Sequence, residues 1–282
     1  MHVLLLINLM MYLIIFILGS CLGSFINVVI IRLPKMLDYS AKKEAYAILG
    51  IKKELISPGN LLTPSACPNC HEALKPWHNI PIISYLWLKG KCRFCNGKIS
   101  LQYPIIEFLS GLLCVFTYWY FGITWIALAL SVLWLSLLAL SMIDIKYFVL
   151  PDHITLPLLW LGLLFNSFNI LTSLYYALWG AVVGYLTLWI SYWAFKLITK
   201  KEGFGYGDFK LLAVLGAFFG IESLLFIIIA STAIGLLFAA ALYIITRQKQ
   251  VVIPFGPALS IAGFIYPLTG QKIMHYYLIW LY

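Results

Sequence analysis

The stretch Gly203-Phe204-Gly205-Tyr206-Gly207-Asp208-Phe209-Lys210 places a carboxylate where a glycine-rich loop meets an apolar helix. A second apolar run, 64 positions earlier, ends on Ser141-Met142-Ile143-Asp144-Ile145-Lys146. Glycines such as Gly205 and Gly207 permit the close approach of another backbone, which a peptide substrate requires. A carboxylate at a membrane edge is costly unless it is hydrated or used. Either aspartate alone could be an ordinary helix cap, but the pair with its glycine loop indicates acid-base chemistry.

The composition identifies the class of protein. The chain has 282 residues, of which 63% are hydrophobic and 10% are charged, whereas a soluble domain has roughly 25% charged residues. A run of about 20 apolar residues can cross a bilayer. The sequence therefore predicts an all-α polytopic membrane protein with about eight transmembrane helices, over residues 3–31, 104–121, 123–143, 151–168, 175–197, 209–221, 224–246 and 254–268. The short run 209–221 contains two glycines, which indicates a half-length or tilted helix.

The first apolar run is predicted to remain as a transmembrane helix. A cleaved signal peptide has a basic start and a shorter apolar core. Here only His2 stands between Met1 and an apolar run of 29 residues. Gly19 and Gly23 form a small-xxx-small pair, which predicts close packing against another helix. Asn27 lies near the end of the same run, and we expect its side chain to bond to a neighbouring helix.

A polar segment from Arg32 to Gln102 separates this run from the rest and contains two Cys-x-x-Cys pairs. Cys67 and Cys70 are followed, after 21 residues, by Cys92 and Cys95. Four thiolates at this spacing suit tetrahedral Zn²⁺. Four protein ligands leave no open position, so we expect a structural zinc that holds together a small domain. Disulfides are the alternative, but they are rare in the reducing cytoplasm.

The distribution of basic residues predicts the membrane orientation. A net charge of +9 could indicate nucleic-acid binding, but 11 of the 19 basic residues lie in the one polar segment between residues 32 and 102. With eight spans, 18 of the 19 basic residues lie on or beside the loops of one side. The positive-inside rule makes that side cytoplasmic. We therefore expect the protein to contact membrane lipid and not to bind nucleic acid. Both aspartates should lie at the cytoplasmic face.

Two facing carboxyls can catalyse peptide hydrolysis. Because they cannot both ionise easily, they share a proton. One can then deprotonate a water while the other protonates or hydrogen-bonds the scissile carbonyl. The alternative from another class is a transporter or channel with a structural zinc module. Such proteins normally hold their carboxylates near the bilayer midplane, whereas Asp144 and Asp208 lie at one edge.

These motifs together resemble a known family. Gly205-Tyr206-Gly207-Asp208 is similar to the GxGD signature of intramembrane aspartyl proteases. In combination with Asp144 and the cysteine segment, the chain resembles the type IV prepilin peptidases of bacteria. The resemblance covers nearly the whole chain and rests also on Gly23-Ser24-Phe25-Ile26-Asn27-Val28-Val29-Ile30-Ile31-Arg32-Leu33-Pro34, Tyr103-Pro104-Ile105-Ile106-Glu107-Phe108 and Leu150-Pro151-Asp152.

The resemblance implies a bifunctional enzyme of the inner membrane. It would cut the leader from prepilins and pseudopilins after a glycine, with Asp144 and Asp208 as catalytic residues, and then methylate the new N-terminus with S-adenosylmethionine. No G-x-G-x-x-G loop marks a cofactor site in the sequence. Glu107 is the one candidate to contact the cofactor or the substrate amine. The alternative is that Glu107 has only a structural role, as a hydrogen-bonded or snorkelling glutamate at a helix start. Asp152 fits simple charge compensation at a helix start. The predicted parts are a first helix over 1–31, a cytoplasmic zinc-binding and methyltransferase part over 32–102, and a membrane peptidase domain over 103–282.

Overall fold

The computed structural model describes residues 2–51, 53, 55–67, 69–70, 72–200, 205–247, 253–270 and 273. Within these ranges the regular structure is helical, apart from two isolated β-bridges. Nine α-helices occur in this part of the chain: α1 His2–Ile48, α2 Ile83–Trp87, α3 Gln102–Phe121, α4 Trp125–Tyr147, α5 Asp152–Ser167, α6 Leu174–Thr199, α7 Tyr206–Phe219, α8 Ser223–Thr246 and α9 Gly256–Ile265. A 3-10 turn, Pro76–Asn79, precedes α2, and a π-helical turn, Tyr266–Gly270, follows α9.

In the described part of the chain, five helices are long and apolar enough to cross a membrane, namely α1, α3, α4, α6 and α8. The chain is therefore a polytopic membrane protein, and its helical class is confirmed. The other three predicted spans form the shorter helices α5, α7 and α9, with 16, 14 and 10 residues. At about 1.5 Å per residue, none of them reaches the roughly 30 Å of a hydrocarbon core. The predicted eight transmembrane helices are thus confirmed for five full-length ones, and the short helix predicted from 209–221 is present.

The chain divides into two compact units, Met1–Ser131 and Val132–Tyr282. In the first unit, α1 packs closely on α3. A Cβ added to Gly19 would lie 2.9 Å from the Cα of Gly111, and one added to Gly23 would lie 2.8 Å from the Cα of Glu107. Asn27 Nδ2 donates a hydrogen bond to the carbonyl of Tyr103 at 3.0 Å. The predicted helix contacts of Gly19, Gly23 and Asn27 are confirmed.

Helix α1 does not end where its apolar run ends. It continues from Ile31 through Pro34 to Ile48 as one helix of 47 residues. Opposite charges four residues apart lie on the same face of a helix and support it, and Lys42 pairs with Asp38 in this way at 2.6 Å. The first part of the polar segment, up to Ile48, is therefore a helical extension of the first span.

The second unit is built around α7. Every residue from Asp208 to Phe219 except Lys210 is buried, because α5, α6, α8 and α9 all contact this helix. Its C-terminal end is held by the buried Asn166, whose Nδ2 donates to the carbonyls of Ala217 and Phe218 at 2.8 and 2.9 Å. The helix that carries Asp208 is thus fixed on all sides.

Helices α6 and α7 cross at two glycines, Gly180 and Gly216. A Cβ on Gly216 would collide with the carbonyl oxygen of Gly180, so we expect Gly216→Ala to separate the helices and destabilise the protein. Overpacking of this kind costs about 1–3 kcal/mol. Thermal unfolding in detergent should show the loss. The control is Gly235→Ala, whose added methyl would lie 3.6 Å or more from its neighbours; equal melting temperatures for the two variants would contradict this packing.

Candidate active site and metal centre

Asp144 lies three residues before the end of α4, and its side chain is buried at 6% exposure. Its Oδ2 accepts a hydrogen bond from the backbone N–H of Gly256 at 3.0 Å. Gly256 is the first residue of α9, where backbone N–H groups have no partner within the helix. A carboxylate suits this position because the N-terminal end of a helix carries a partial positive charge.

Asp208 lies in the first turn of α7 and is buried at 7% exposure. Its Oδ2 accepts a hydrogen bond from the N–H of Gly205 at 3.2 Å. Each aspartate is therefore held at one oxygen by a backbone N–H. Among the described residues, the second oxygen of each carboxyl makes no hydrogen bond, so it is available to a water or a substrate.

Leu150 packs against the two glycines that accompany the aspartates, Gly207 and Gly256. A Cβ added to Gly207, next to Asp208, would lie 2.6 Å from the Cβ of Leu150. A Cβ added to Gly256, which bonds Asp144, would lie 3.3 Å from Leu150 Cδ2. The two carboxyl charges also lie close enough to interact directly. Residues that are 64 positions apart in the sequence thus form one buried pair at the ends of two helices.

The two described glycines of the loop, Gly205 and Gly207, contribute to the site in different ways. Because Gly207 has no side chain, Leu150 can occupy the space beside its Cα. Gly205 has a φ of −78°, which any residue can adopt, and a Cβ there would lie 3.5 Å from the Asp208 carboxylate. The expectation that both glycines admit a substrate backbone stays a prediction; in the structure Gly207 makes room for Leu150, and Gly205 contributes its N–H. Gly203 and Phe204, which open the sequence stretch, lie outside the described residues.

Gly256 is a site residue that the sequence reasoning missed. It follows the run 248–252, which lies outside the described residues, and the local signal is only the pair Gly256-Pro257 at a helix start, where proline is favoured. A Cβ at Gly256 would lie 2.6 Å from Asp144 Oδ2. Only glycine therefore lets the N–H of this residue reach the carboxylate.

We expect Gly256→Ala to lower catalysis strongly without unfolding the protein. The methyl group would displace the Asp144 carboxylate, and misplacing a catalytic group by about 1 Å can cost about 100-fold in rate. Cleavage rates of the purified variant would measure the effect, with Gly235→Ala as the control. A rate for Gly256→Ala within a few-fold of the control would contradict the role of this contact.

Asp152, at the start of α5, pairs with Lys210 in the first turn of α7. The Lys210 ammonium lies 2.6 and 2.7 Å from the two carboxylate oxygens of Asp152. Lys210 is two residues after Asp208. The ion pair thus links the start of α5 to the turn that carries Asp208, which is more than the charge compensation expected for Asp152.

The four cysteines of the first unit form one cluster. The Sγ atoms of Cys67, Cys70, Cys92 and Cys95 all lie within 4.8 Å of one another, and the Cys67 and Cys95 sulfurs are 3.7 Å apart. Zn–S bonds of about 2.3 Å in a tetrahedron place the sulfurs about 3.8 Å apart. The donor set and its spacing therefore fit a metal ion.

Each Cys-x-x-Cys pair sits in the same kind of turn. Cys67 N donates to the carbonyl of Glu72 at 3.0 Å, and Cys92 N donates to that of Gly97 at 2.8 Å. A β-bridge closes each turn, between Ala66 and Ala73 and between Lys91 and Lys98. Hydrogen bonds from the backbone of Cys70 and Asn69 lower the pKa of the Cys67 thiol to about 6. Cys67 is thus prepared to act as a thiolate ligand.

Glu107, in the second turn of α3, is buried at 7% exposure. Its Oε2 accepts a hydrogen bond from the N–H of Ile82 at 2.8 Å, and the Ser24 side chain also interacts with this carboxyl. Glu107 therefore joins α1, α3 and the turn before α2. The cysteine cluster and Glu107 lie in the first unit, and the aspartate pair lies in the second.

Comparison with known proteins supplies the family. Residues 17–121 match the model of the bacterial peptidase A24 N-terminal domain, and residues 129–240 match the type IV leader peptidase family. The prepilin leader peptidase/N-methyltransferase of Pseudomonas aeruginosa is 48% identical over 93% of this chain and 91% of its own. The proteins of the same name from Stutzerimonas stutzeri and Neisseria gonorrhoeae are 47% and 42% identical, over 93% and 88% of this chain and 92% and 87% of theirs. No solved structure matches the chain. These similarities over nearly its full length show that the chain belongs to the type IV leader peptidase family.

Proposed function

We propose that this protein cleaves the leader peptide of type IV prepilins and pseudopilins after a glycine and then methylates the new N-terminal residue. Family membership supports both activities. The observation that carries the peptidase assignment is the buried, interacting pair of Asp144 and Asp208. Such a pair of carboxyls is the catalytic unit of aspartic proteases.

The proposed chemistry is hydrolysis of one amide bond. One carboxyl of the pair takes a proton from a water, whose oxygen attacks the scissile carbonyl carbon, while the other carboxyl donates a proton to the carbonyl oxygen. The C–N bond then breaks, the leaving nitrogen takes up a proton, and the water oxygen remains in the leader's new carboxyl group. The N–H groups of Gly205 and Gly256 hold each aspartate by one oxygen, so the other oxygen stays directed to the reaction.

The metal of the cysteine cluster is, we propose, a structural Zn²⁺. Sulfur ligands in a tetrahedral arrangement favour zinc over hard cations. Because all four positions are taken by Cys67, Cys70, Cys92 and Cys95, the ion has no place for a water or a substrate. Its role is to hold the two cysteine turns together.

Methyl transfer uses S-adenosylmethionine, which supplies an electrophilic methyl group to the freed amine. The described part of the first unit shows no glycine-rich loop of the G-x-G-x-x-G type that would mark a site for this cofactor. The candidate residue Glu107 already accepts a hydrogen bond from Ile82. On the basis of family membership we attribute methyl transfer to the part over 32–102 and its adjoining helix starts. Glu107 is the candidate to contact the amine or the cofactor.

For the membrane arrangement we propose eight passes in the bacterial inner membrane, five by the full-length helices and three by the shorter helices α5, α7 and α9, of which α7 is buried along almost its whole length. The distribution of basic residues supports a cytoplasmic active site. A leader that stays in the cytoplasm must be cut at that face. The proposed parts remain a first span over 1–31, a zinc-binding part over 32–102 and the peptidase domain over 103–282.

Intact mass of a prepilin co-expressed with this protein tests the function. We expect loss of the leader and a gain of about one methyl group, which would support both activities. Loss of the leader alone would leave a peptidase without methyltransferase activity. An unchanged prepilin, together with an ion or solute flux that depends on Asp144 and Asp208, would favour the transporter alternative instead.

A further inference from the structure

Large apolar side chains are exposed along the segment from Pro76 to Trp87, which we call the Trp77–Trp87 segment. Trp87 is 80% exposed and Ile83 is 60% exposed. The full set of exposed members is Trp77, Ile80, Ile83, Leu86 and Trp87. A contiguous exposed apolar surface of this kind marks an interaction site with protein or membrane. Neither leader cleavage nor zinc binding accounts for it.

The depth of this segment follows from Glu107. Helix α3 has 20 residues, so its length of about 30 Å only just crosses the hydrocarbon core, and its first turn must lie at the bilayer boundary. Side chains on a helix lean toward its N-terminus, which brings the Glu107 carboxylate back toward that first turn. Because Ile82 N donates to this carboxylate at 2.8 Å, Ile82 lies at the boundary as well.

The backbone at Ile82 supports a fixed position. Its φ is 63° and its ψ is −51°, a conformation that is unfavourable for a β-branched residue. Such strain persists where the surroundings enforce it. The enforcing contacts are the Glu107 carboxylate and Ser84, whose Oγ donates to the carbonyls of Trp77 and Ile80 at 3.1 and 2.8 Å. The segment is therefore held as a rigid turn against the start of α3.

The chemistry of the surroundings identifies the partner as lipid. Tryptophan is enriched at the membrane-water interface, and basic residues beside an interfacial segment attract anionic headgroups. The Trp77–Trp87 segment is flanked by Lys75, Lys89, Lys91, Arg93 and Lys98. At the start of α3, Leu101 and Ile105 are exposed apolar residues as well.

We propose that the Trp77–Trp87 segment lies in the interfacial layer of the bilayer, with Ile83, Leu86 and Trp87 in contact with phospholipid. Glu107 is the positioning residue that holds the segment at this depth. The zinc-binding part is thereby attached to the membrane surface at a second point besides its covalent links to α1 and α3. This arrangement adds to the proposed function, which requires no lipid contact from the segment.

Photocrosslinking of the full-length protein tests the proposal. A benzophenone side chain is introduced at position 83 or 87, and the protein is placed in nanodiscs of phosphatidylethanolamine and phosphatidylglycerol. Ile56 is the matched control, because it is apolar and 96% exposed in the same unit, and among the described residues it makes no hydrogen bond to the start of α3. We expect lipid-mass adducts at 83 and 87 about tenfold above those at 56, since interfacial side chains contact lipid continuously. Equal yields at the three positions, or adducts to protein in place of lipid, would overturn the proposal.

Two variants test the positioning role of Glu107. Glu107→Leu removes the acceptor for the Ile82 N–H, and the adduct yield at position 87 should fall about fivefold. Glu107→Gln keeps an oxygen that can accept the same N–H, so its yield should stay near that of wild type. Both variants must elute as monodisperse protein. If Glu107→Leu retains the wild-type yield, the segment reaches the bilayer without this contact and the positioning role is wrong.

Discussion

Replacing either aspartate of the pair with asparagine should lower leader cleavage by about 10⁴-fold or more, as expected when a residue of a catalytic unit is removed. Asparagine has nearly the shape of aspartate, but it can neither take nor give a proton in the reaction. Asp144→Asn can still accept the N–H of Gly256, and Asp208→Asn that of Gly205. The variants should therefore remain folded. Initial rates on a purified prepilin, together with melting temperatures, measure both effects.

The matched control for this prediction is Asp38→Asn. Asp38 is exposed and pairs with Lys42 on the extension of α1, so its replacement removes one carboxylate without touching the site. Water and salt screen exposed pairs of this kind, so they contribute little to stability, and the cleavage rate should be unchanged. A wild-type rate in either Asp144→Asn or Asp208→Asn would show that the catalytic groups lie elsewhere.

Removing one cysteine of the cluster should have the second-largest effect, on metal content and on local folding. Structural zinc sites contribute about 10–16 kcal/mol of binding free energy in small zinc-finger peptides, and three ligands retain only a fraction of it. We expect Cys92→Ser to be purified with little zinc, and the two cysteine turns to become sensitive to proteases. Elemental analysis and limited proteolysis of the detergent-solubilised protein measure this.

Cys21→Ser is the control for the cluster, because Cys21 is an exposed cysteine on α1. It should keep one zinc per chain and its protease resistance. We also expect leader cleavage to continue in Cys92→Ser, since the aspartate pair lies in the other compact unit. A full zinc content in Cys92→Ser would contradict the four-cysteine assignment.

The local signals in the sequence were sufficient to identify the candidate site residues. Asp144 and Asp208 stand out because each interrupts an apolar run at its edge, and the cysteines because their spacing is that of a metal site. Asn27 and the glycines of α1 could be interpreted from composition alone, since polar and small residues in a span mark helix contacts. In the structure the two aspartates interact, the four cysteines form a cluster, and Asn27 and the glycines of α1 contact α3.

Contacts between distant residues were not accessible from such patterns. The N–H of Gly256 reaches Asp144 across 112 positions, and Asn166 reaches the end of α7 across 51. Asn166 is a polar residue in a span and Gly256 precedes a proline, but neither local signal identifies the distant partner. The helix length of α1 was also missed, because a proline at position 34 and a change to polar composition suggest an end, whereas the helix continues to Ile48. Hydrophobicity indicates where a membrane begins rather than where a helix stops.

The affinity of a transition-state mimic tests the aspartate mechanism most directly. The probe is a prepilin leader peptide in which the scissile amide is replaced by a hydroxyethylene group, so that its hydroxyl stands where the attacked carbonyl oxygen becomes tetrahedral. We expect the dissociation constant of this probe for the wild-type protein to be at least about 100-fold lower than that of the leader peptide with the natural amide. Asp144→Asn and Asp208→Asn should both lose that gain. Equal affinity of the two peptides for the wild-type protein, or an undiminished gain in both variants, would contradict a centre built from Asp144 and Asp208.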